Sequence, residues 1–291
     1  MLAYDAFRGI MSHPAADAAR AEPVVLVPCS AGSSRQWKPL VEQLDGFESI
    51  PLDLRGHGDR SRWHGEGPLS LAEEAAAIGE AYSGSARFHL VGHSYGGAVA
   101  LKFALCFPER LRSLTLIEPS CFHILRTADA AHASLLDEIR GIAEAVNRGV
   151  LCGDYRGGMA TFIDYWGGPG SWESLSESKK AHFADLSVHI AHHFWSLIEE
   201  QTPLAAYAEV DVPTLILCGT RSPGPSRMIA RLLADTLPRA RHRTVRDAGH
   251  MSPLTHPADV NPLIVGHILS SGVRSESLPP KRKERRPASR V

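Results

Sequence analysis

The stretch that decides the fold is Phe88-His89-Leu90-Val91-Gly92-His93-Ser94-Tyr95-Gly96-Gly97-Ala98-Val99-Ala100-Leu101. Its first four residues are an apolar run short enough to be a buried strand. The residues from Gly97 to Leu105 are rich in helix formers. Between the two lies Gly92-His93-Ser94-Tyr95-Gly96, a G-x-S-x-G motif. A strand, a sharp turn and a helix form the context in which this motif is a nucleophile elbow. The turn is tight and its serine backbone strained, so a Cβ on either side would clash, which accounts for Gly92, Gly96 and Gly97. Such a turn lifts Ser94 Oγ above the sheet edge, near backbone N–H groups of the following helix.

Further motifs flank this one in a fixed order. Pro23-Val24-Val25-Leu26-Val27 reads as a central strand leading into a loop, and Ile50-Pro51-Leu52-Asp53-Leu54-Arg55-Gly56-His57-Gly58 as the next strand and a D-x-x-G-x-G turn. Leu114–Ile117 and Thr214–Leu217 read as later parallel strands, and Ala248-Gly249-His250 as a late histidine turn. In order and spacing, residues 22–270 resemble the α/β-hydrolase superfamily. The resemblance implies an α/β fold, a mostly parallel sheet flanked by helices, with an inserted helical cap.

The expected organisation is a core of residues 1–120 and 207–270, a cap of residues 121–206 and a disordered basic tail of residues 271–291. The alternation of strands and helices from Pro23 to about Pro119 argues for crossover helices. One of these starts at Ser70, an N-cap with Glu73 three residues on. From Cys121 to Tyr207 the pattern turns helical, with aromatics at Phe162, Tyr165, Trp166, Trp172, Phe183, Phe194 and Trp195. The family's helices inserted here cover the active site, and apolar walls favour an apolar substrate. Residues 1–21 read as a reduced sheet edge. The run Pro279–Pro287 holds almost no apolar residue and reads as a solvated tail.

Composition narrows the function classes. The formal net charge is −1, so no global field argues for nucleic acid or membrane. No basic region with an apolar run opens the chain and no apolar stretch approaches a membrane span, so a cytoplasmic protein is the expectation. Five scattered cysteines show neither metal-ligand nor disulfide spacing. His189, His192 and His193 sit at helical spacing, but no carboxylate or cysteine partner matches them, so they read as a surface or lid-helix face. No metal or cofactor is expected. The expected partner is a small-molecule substrate, and oligomeric state stays open.

A serine needs a base to take its proton. His250 follows a strand-like run and sits on a glycine turn, in the chain order Ser, acid, His that this fold uses. His93 adjoins Ser94 but should point away from Oγ; His57 and His256 are weaker competitors. The histidine needs an acid to fix its tautomer. Most relatives carry an aspartate just beyond the strand that here reads Thr214–Cys218, yet Gly219–Ser226 contains no carboxylate, and Ser222 stands about where the aspartate belongs. Glu118 ends the strand after the nucleophile's, the position from which certain haloalkane dehalogenases supply their acid. It is the expected acid, with Asp247 second and Asp235 further off.

The family's oxyanion hole uses two backbone amides, here expected at Tyr95, after the nucleophile, and at Ser30. Relatives often read His-Gly in the second loop, where this chain reads Pro28-Cys29-Ser30-Ala31-Gly32. Asp53 and Arg55 read as braces of the turn after their strand. Together these residues imply a serine hydrolase with a Ser94–His250–Glu118 triad, acting on an ester through an acyl-enzyme. Alternatives on the same triad are cleavage of a carbon–carbon bond, lactone or thioester, or acyl transfer. The alternative from another class is a binding protein with a degenerate site.

Overall fold

The computed structural model describes residues 21–58, 68–127 and 130–272, without the side chains of residues 127, 130 and 131. Six strands form one sheet: β1 (Glu22–Val27), β2 (Phe47–Pro51), β3 (Phe88–His93), β4 (Leu111–Ile117), β5 (Thr214–Gly219) and β6 (Ala240–Val245). Their order is β2-β1-β3-β4-β5-β6, and every neighbouring pair is parallel. Parallel neighbours need crossovers, and helices supply them. These are α1 (Leu71–Ala81), α2 (Tyr95–Cys106) and α7 (Gly224–Thr236), with α3 to α6 defined below; α8 (Pro257–Gly272) follows the last strand.

The central strands are near-continuous apolar runs because both of their faces are covered. Alternation survives inside them. Val25 and Val27 of β1 face the core formed by α1, α2 and α7, while Val24 and Leu26 face the other, with Trp37, Leu40, Val260, Ile264 and Ile268. The edge strand β6 is polar along most of its length (Ala240–Val245). The capping box at α1 is present: Ser70 Oγ accepts from Glu73 N, and Glu73 returns a bond to Ser70 N.

Between β4 and β5 the sheet is interrupted by a helical insertion. It comprises a 3-10 turn (Phe122–Thr127), α3 (Ala130–Cys152), α4 (Tyr155–Gly167), α5 (Glu177–Asp185) and α6 (Ser187–Glu199). Phe122, Phe162, Trp166, Trp172, Ile190 and Phe194 are buried within one core cluster that also contains Tyr95 and Ala98 of α2. These helices therefore form a cap packed on the nucleophile's side of the sheet. The expected N-terminal edge, residues 1–20, lies outside the described residues. α8 extends to Gly272, two residues into the stretch expected to be tail, and the remainder of that tail also lies outside the described residues.

Among the described residues no helix is long and apolar enough to cross a membrane.

Candidate active site

The site lies at the carboxyl ends of β3, β4, β5 and β6, where a parallel sheet presents its loops. Ser94 N donates to Ile117 O at 2.9 Å, and Glu118 N donates to Leu217 O at 2.9 Å. These two bonds carry the ladder one step past the strands and place Ser94, Glu118 and Gly219 side by side.

Four non-glycine residues have positive φ: Ala31 (58°), Ser94 (57°), Glu118 (50°) and Asp247 (58°). All stand on loops at this end of the sheet, as expected where strain is held by surrounding structure. Ser94 has ψ −118°. The glycines around it are dictated by backbone approach. A Cβ on Gly96 would stand 2.3 Å from Pro28 O, and one on Gly92 2.3 Å from Gly96 O.

His250 Nε2 lies 2.8 Å from Ser94 Oγ, and Ser120 Oγ lies 3.1 Å from the same oxygen. Ser94 thus donates to the imidazole and accepts from Ser120. Ser120 carries no signal of its own in the sequence, although it follows Glu118 and Pro119 directly at the β4 end. On the far side of the ring, His250 Nδ1 stands 3.5 Å from Glu118 Oε2 and 3.5 Å from Ser226 Oγ. The Glu118 contact is within ion-pair range but long for a hydrogen bond.

Glu118 is fully buried. A buried carboxylate needs partners, and its Oε1 accepts from Gly219 N and from Ser222 Oγ, each at 2.6 Å. Burial alone would push the Glu118 carboxyl up. The facing imidazole and the bonds from Ser222 and Gly219 outweigh it and hold the carboxyl below its usual range. The other acid candidates lie elsewhere. Asp247 is exposed and paired with Arg221 at 2.8 Å; Asp235 is exposed beside Arg231.

His93, the variable residue of the elbow, points away from Ser94 Oγ and ties two catalytic loops together. Its Nε2–H donates to His250 O at 2.9 Å, and Gln36 Nε2 approaches its Nδ1 at 3.4 Å. Gln36 Oε1 in turn accepts from Cys29 N at 3.1 Å. Burial pushes His93 down to about 3, so the ring is neutral and can donate and accept at once. Burial pushes the neighbouring Cys29 thiol up to about 12, which makes it a small neutral side chain rather than a nucleophile.

The two residues expected to hold an oxyanion flank the serine. Tyr95 N is the first amide of α2, one of the four that an α-helix leaves without an internal partner. Ser30 lies between Cys29, whose amide is taken by Gln36, and Ala31, whose amide donates to His57 Nε2 at 3.2 Å. Asp53 braces the same loop by accepting from Ser34 N at 2.6 Å, and Arg55 approaches Glu80 at 3.8 Å. His57 is therefore a support of this loop and His256 is a neighbour of Thr255, away from the serine.

His189, His192 and His193 do lie on a cap helix, α6, but His193 is not on its surface. That side chain is buried and stands in the site: its Nδ1 is 2.8 Å from Ser30 Oγ, and its ring stacks on Tyr95 at 3.8 Å between centroids. No spacing in the sequence separates it from its two partly exposed neighbours. Trp166 of α4 packs on the imidazole of His250 with ring centroids 4.0 Å apart.

A narrow pocket of about 10 Å³ opens on Ser94, walled by Phe122, Phe162, Trp166, Ile190, Phe194 and Leu197. Its polar groups come from Ser30, Ser94, Ser120 and His193.

Comparison with known proteins finds relatives of the same fold. Residues 22–257 match the family profile described as alpha/beta hydrolase fold. A proposed carbamate hydrolase of Pantoea ananatis is 26% identical over 276 residues, covering 90% of this chain and 95% of the relative. A proposed 2-succinyl-6-hydroxy-2,4-cyclohexadiene-1-carboxylate synthase of Bacillus subtilis is 24% identical over 249 residues, covering 81% and 86%. Among solved structures, an α/β hydrolase from a Medee basin deep-sea metagenome library superposes with a TM-score of 0.71 at 16% identity, covering 92% of this chain and 95% of that one.

Proposed function

The chain belongs to the alpha/beta hydrolase fold family, and from that premise we propose that it is a serine hydrolase that cleaves a small apolar ester through an acyl-enzyme. The observation that carries this reading is the 2.8 Å contact between Ser94 Oγ and His250 Nε2 at a strained strand-to-helix turn.

Ser94 Oγ attacks the substrate carbonyl while His250 Nε2 takes the hydroxyl proton. The imidazolium so formed faces Glu118 Oε2, a carboxylate that Ser222 and Gly219 N keep ionised. The negative charge on the carbonyl oxygen is held by Tyr95 N and Ser30 N, donors that need no reorganisation during the reaction. Collapse of the tetrahedral species returns the proton from His250 to the leaving alcohol and leaves an acyl group on Ser94. Water then repeats the cycle, with His250 again as base. Ser120 Oγ, 3.1 Å from the nucleophile, orients its lone pairs without removing its proton.

Substrate class follows from the walls. Six of the pocket's residues are aromatic or aliphatic side chains from the cap, and Trp166 closes over His250. This environment accepts a short apolar acyl group and excludes water from the imidazole. Ser94 and His250 are themselves almost fully covered, so entry of substrate requires the cap helices to move. The carbamate chemistry in the Pantoea relative's description is an acyl transfer to water of the same kind, and it extends the substrate class to carbamates.

A panel of chromogenic esters of rising acyl length tests the proposal. Short acyl groups are expected to turn over fastest, and Ser94→Ala to remove that turnover by ~10⁴-fold or more. A Ser94→Ala protein with unchanged turnover contradicts it.

A further inference from the structure

The loop expected to give the second oxyanion donor lacks the His-Gly of its relatives, and Ala31 within it holds φ +58° without being glycine. Such a loop must be held from outside. Two stacked imidazoles meet it. His57 Nε2 accepts from Ala31 N at 3.2 Å, while its own Nδ1–H donates to Arg55 O at 3.1 Å, which fixes its tautomer. His193 Nδ1 and the Ser30 hydroxyl share a hydrogen bond at 2.8 Å. The two rings lie 5.0 Å apart and 16° from parallel.

His193 also stacks on the side chain of Tyr95, 3.8 Å away and 11° from parallel. One imidazole therefore touches both residues whose amides are assigned to the oxyanion hole under the serine-hydrolase reading: Ser30 by a hydrogen bond, Tyr95 by its ring. That imidazole is carried by α6, a helix of the cap, whereas Ser30, Tyr95 and His57 all belong to the sheet's own loops and helix. Both rings are buried, and burial holds His57 down to about 4 and His193 well below its ordinary value. A neutral His57 can accept the bond from Ala31 N; a protonated one cannot.

We propose that His193, with His57 behind it, is a positioning residue for the oxyanion hole, so that the hole is assembled only while the cap helix α6 is docked on the core. Opening the cap to admit substrate withdraws His193 from Ser30 and Tyr95. Closing it restores the hydrogen bond and the stack, and with them the spacing of the two amides. Chemistry is thereby confined to the closed state, where water is excluded. The proposal rests on the serine-hydrolase reading and adds to it a residue from the cap.

Ser30→Ala removes the hydroxyl and leaves the Ser30 amide in place. His193→Phe keeps a ring between Tyr95 and His57 and removes the bond to Ser30. Each is expected to lower kcat by ~10- to 100-fold with KM within about threefold, because an interaction used in the transition state is loosened. The double variant is expected to be no slower than the worse single one, since both delete the same bond. His193→Asn, whose Oδ1 can accept near the position of Nδ1, is expected to recover part of the loss. A protein that is merely packed by His193 would show none of this coupling to Ser30. If Ser30→Ala keeps kcat within twofold of wild type, or if the two losses multiply, the positioning role is wrong; Ser30→Ala decides the matter even where His193→Phe fails to fold. Ser94→Ala, assayed alongside, separates the two claims: retained turnover there removes the serine-hydrolase reading itself, whereas its loss with unchanged Ser30 and His193 variants removes only the positioning role.

Discussion

Ser222 Oγ donates to Glu118 Oε1 at 2.6 Å. Ser222 stands about where the family resemblance leads one to expect the acid, and it serves the acid that this chain carries at the end of β4. The two loops are neighbours because Ile117 pairs with Leu217 in the sheet. An acid at the end of β4 therefore reaches the same imidazole as one at the end of β5.

Removing the charge of Glu118 while keeping its shape deprives the imidazole of its countercharge. Glu118→Gln is expected to lower kcat by ~10⁴-fold with little change in KM. Steady-state kinetics on the best ester measure this, and retention of most activity counts against Glu118. Ser222→Ala is expected to cost far less, about tenfold, because hydrogen bonds to charged groups are worth ~1.5–3 kcal/mol and Gly219 N continues to serve the same oxygen.

Two glycine substitutions should act in opposite directions. Gly96→Ala drives a Cβ to 2.3 Å from Pro28 O, backbone that cannot yield without opening the elbow. It is expected to abolish activity and lower the urea midpoint. Gly141 is exposed in α3, and a Cβ there would meet no atom within 4 Å. Gly141→Ala should raise stability by ~0.5–1 kcal/mol, as for any glycine in a helix interior.

Trp166 covers His250 and closes one wall of the pocket. Trp166→Ala should shift the ester panel toward longer acyl groups while lowering kcat on short ones, because the pocket widens and water reaches the imidazole. An unchanged chain-length profile would separate Trp166 from substrate selection.

Burial holds His57 at about 4 and His93 at about 3, below the ordinary histidine value of 6.5. Between those limits the unfolded chain binds protons that the folded one does not, so stability falls as pH drops through 6.5 and continues to fall toward 4 and 3. Each unit of difference is worth ~1.4 kcal/mol, so the loss amounts to several kcal/mol at most. Urea midpoints measured from pH 8 to pH 4 should decline below about 6.5, and His93→Gln should flatten that decline.

The elbow was legible in the sequence because backbone crowding leaves only glycine at positions 92 and 96. The sheet was legible because buried parallel strands read as unbroken apolar runs. Asp53 as a brace followed from its strand-end position, and its bond to Ser34 N agrees. Glu118 could be singled out because its loop rivals lack any carboxylate. What the sequence withheld is tertiary. His193 differs from His189 and His192 only in which side of α6 meets the core, and α6 is placed by packing against segments distant in the chain. Ser120 was hidden for the same reason: it acquires its part through the fold that brings it to Ser94, whereas Trp166 stood among the aromatics expected in the cap.

Intact mass and peptide mapping after treatment with a fluorophosphonate show whether Ser94 is a nucleophile activated by His250. One phosphonyl group per chain is expected, on the peptide holding Ser94, with labelling lost in Ser94→Ala and slowed by several decades in His250→Ala. An unlabelled wild-type protein, or a label that persists in Ser94→Ala, would contradict the account.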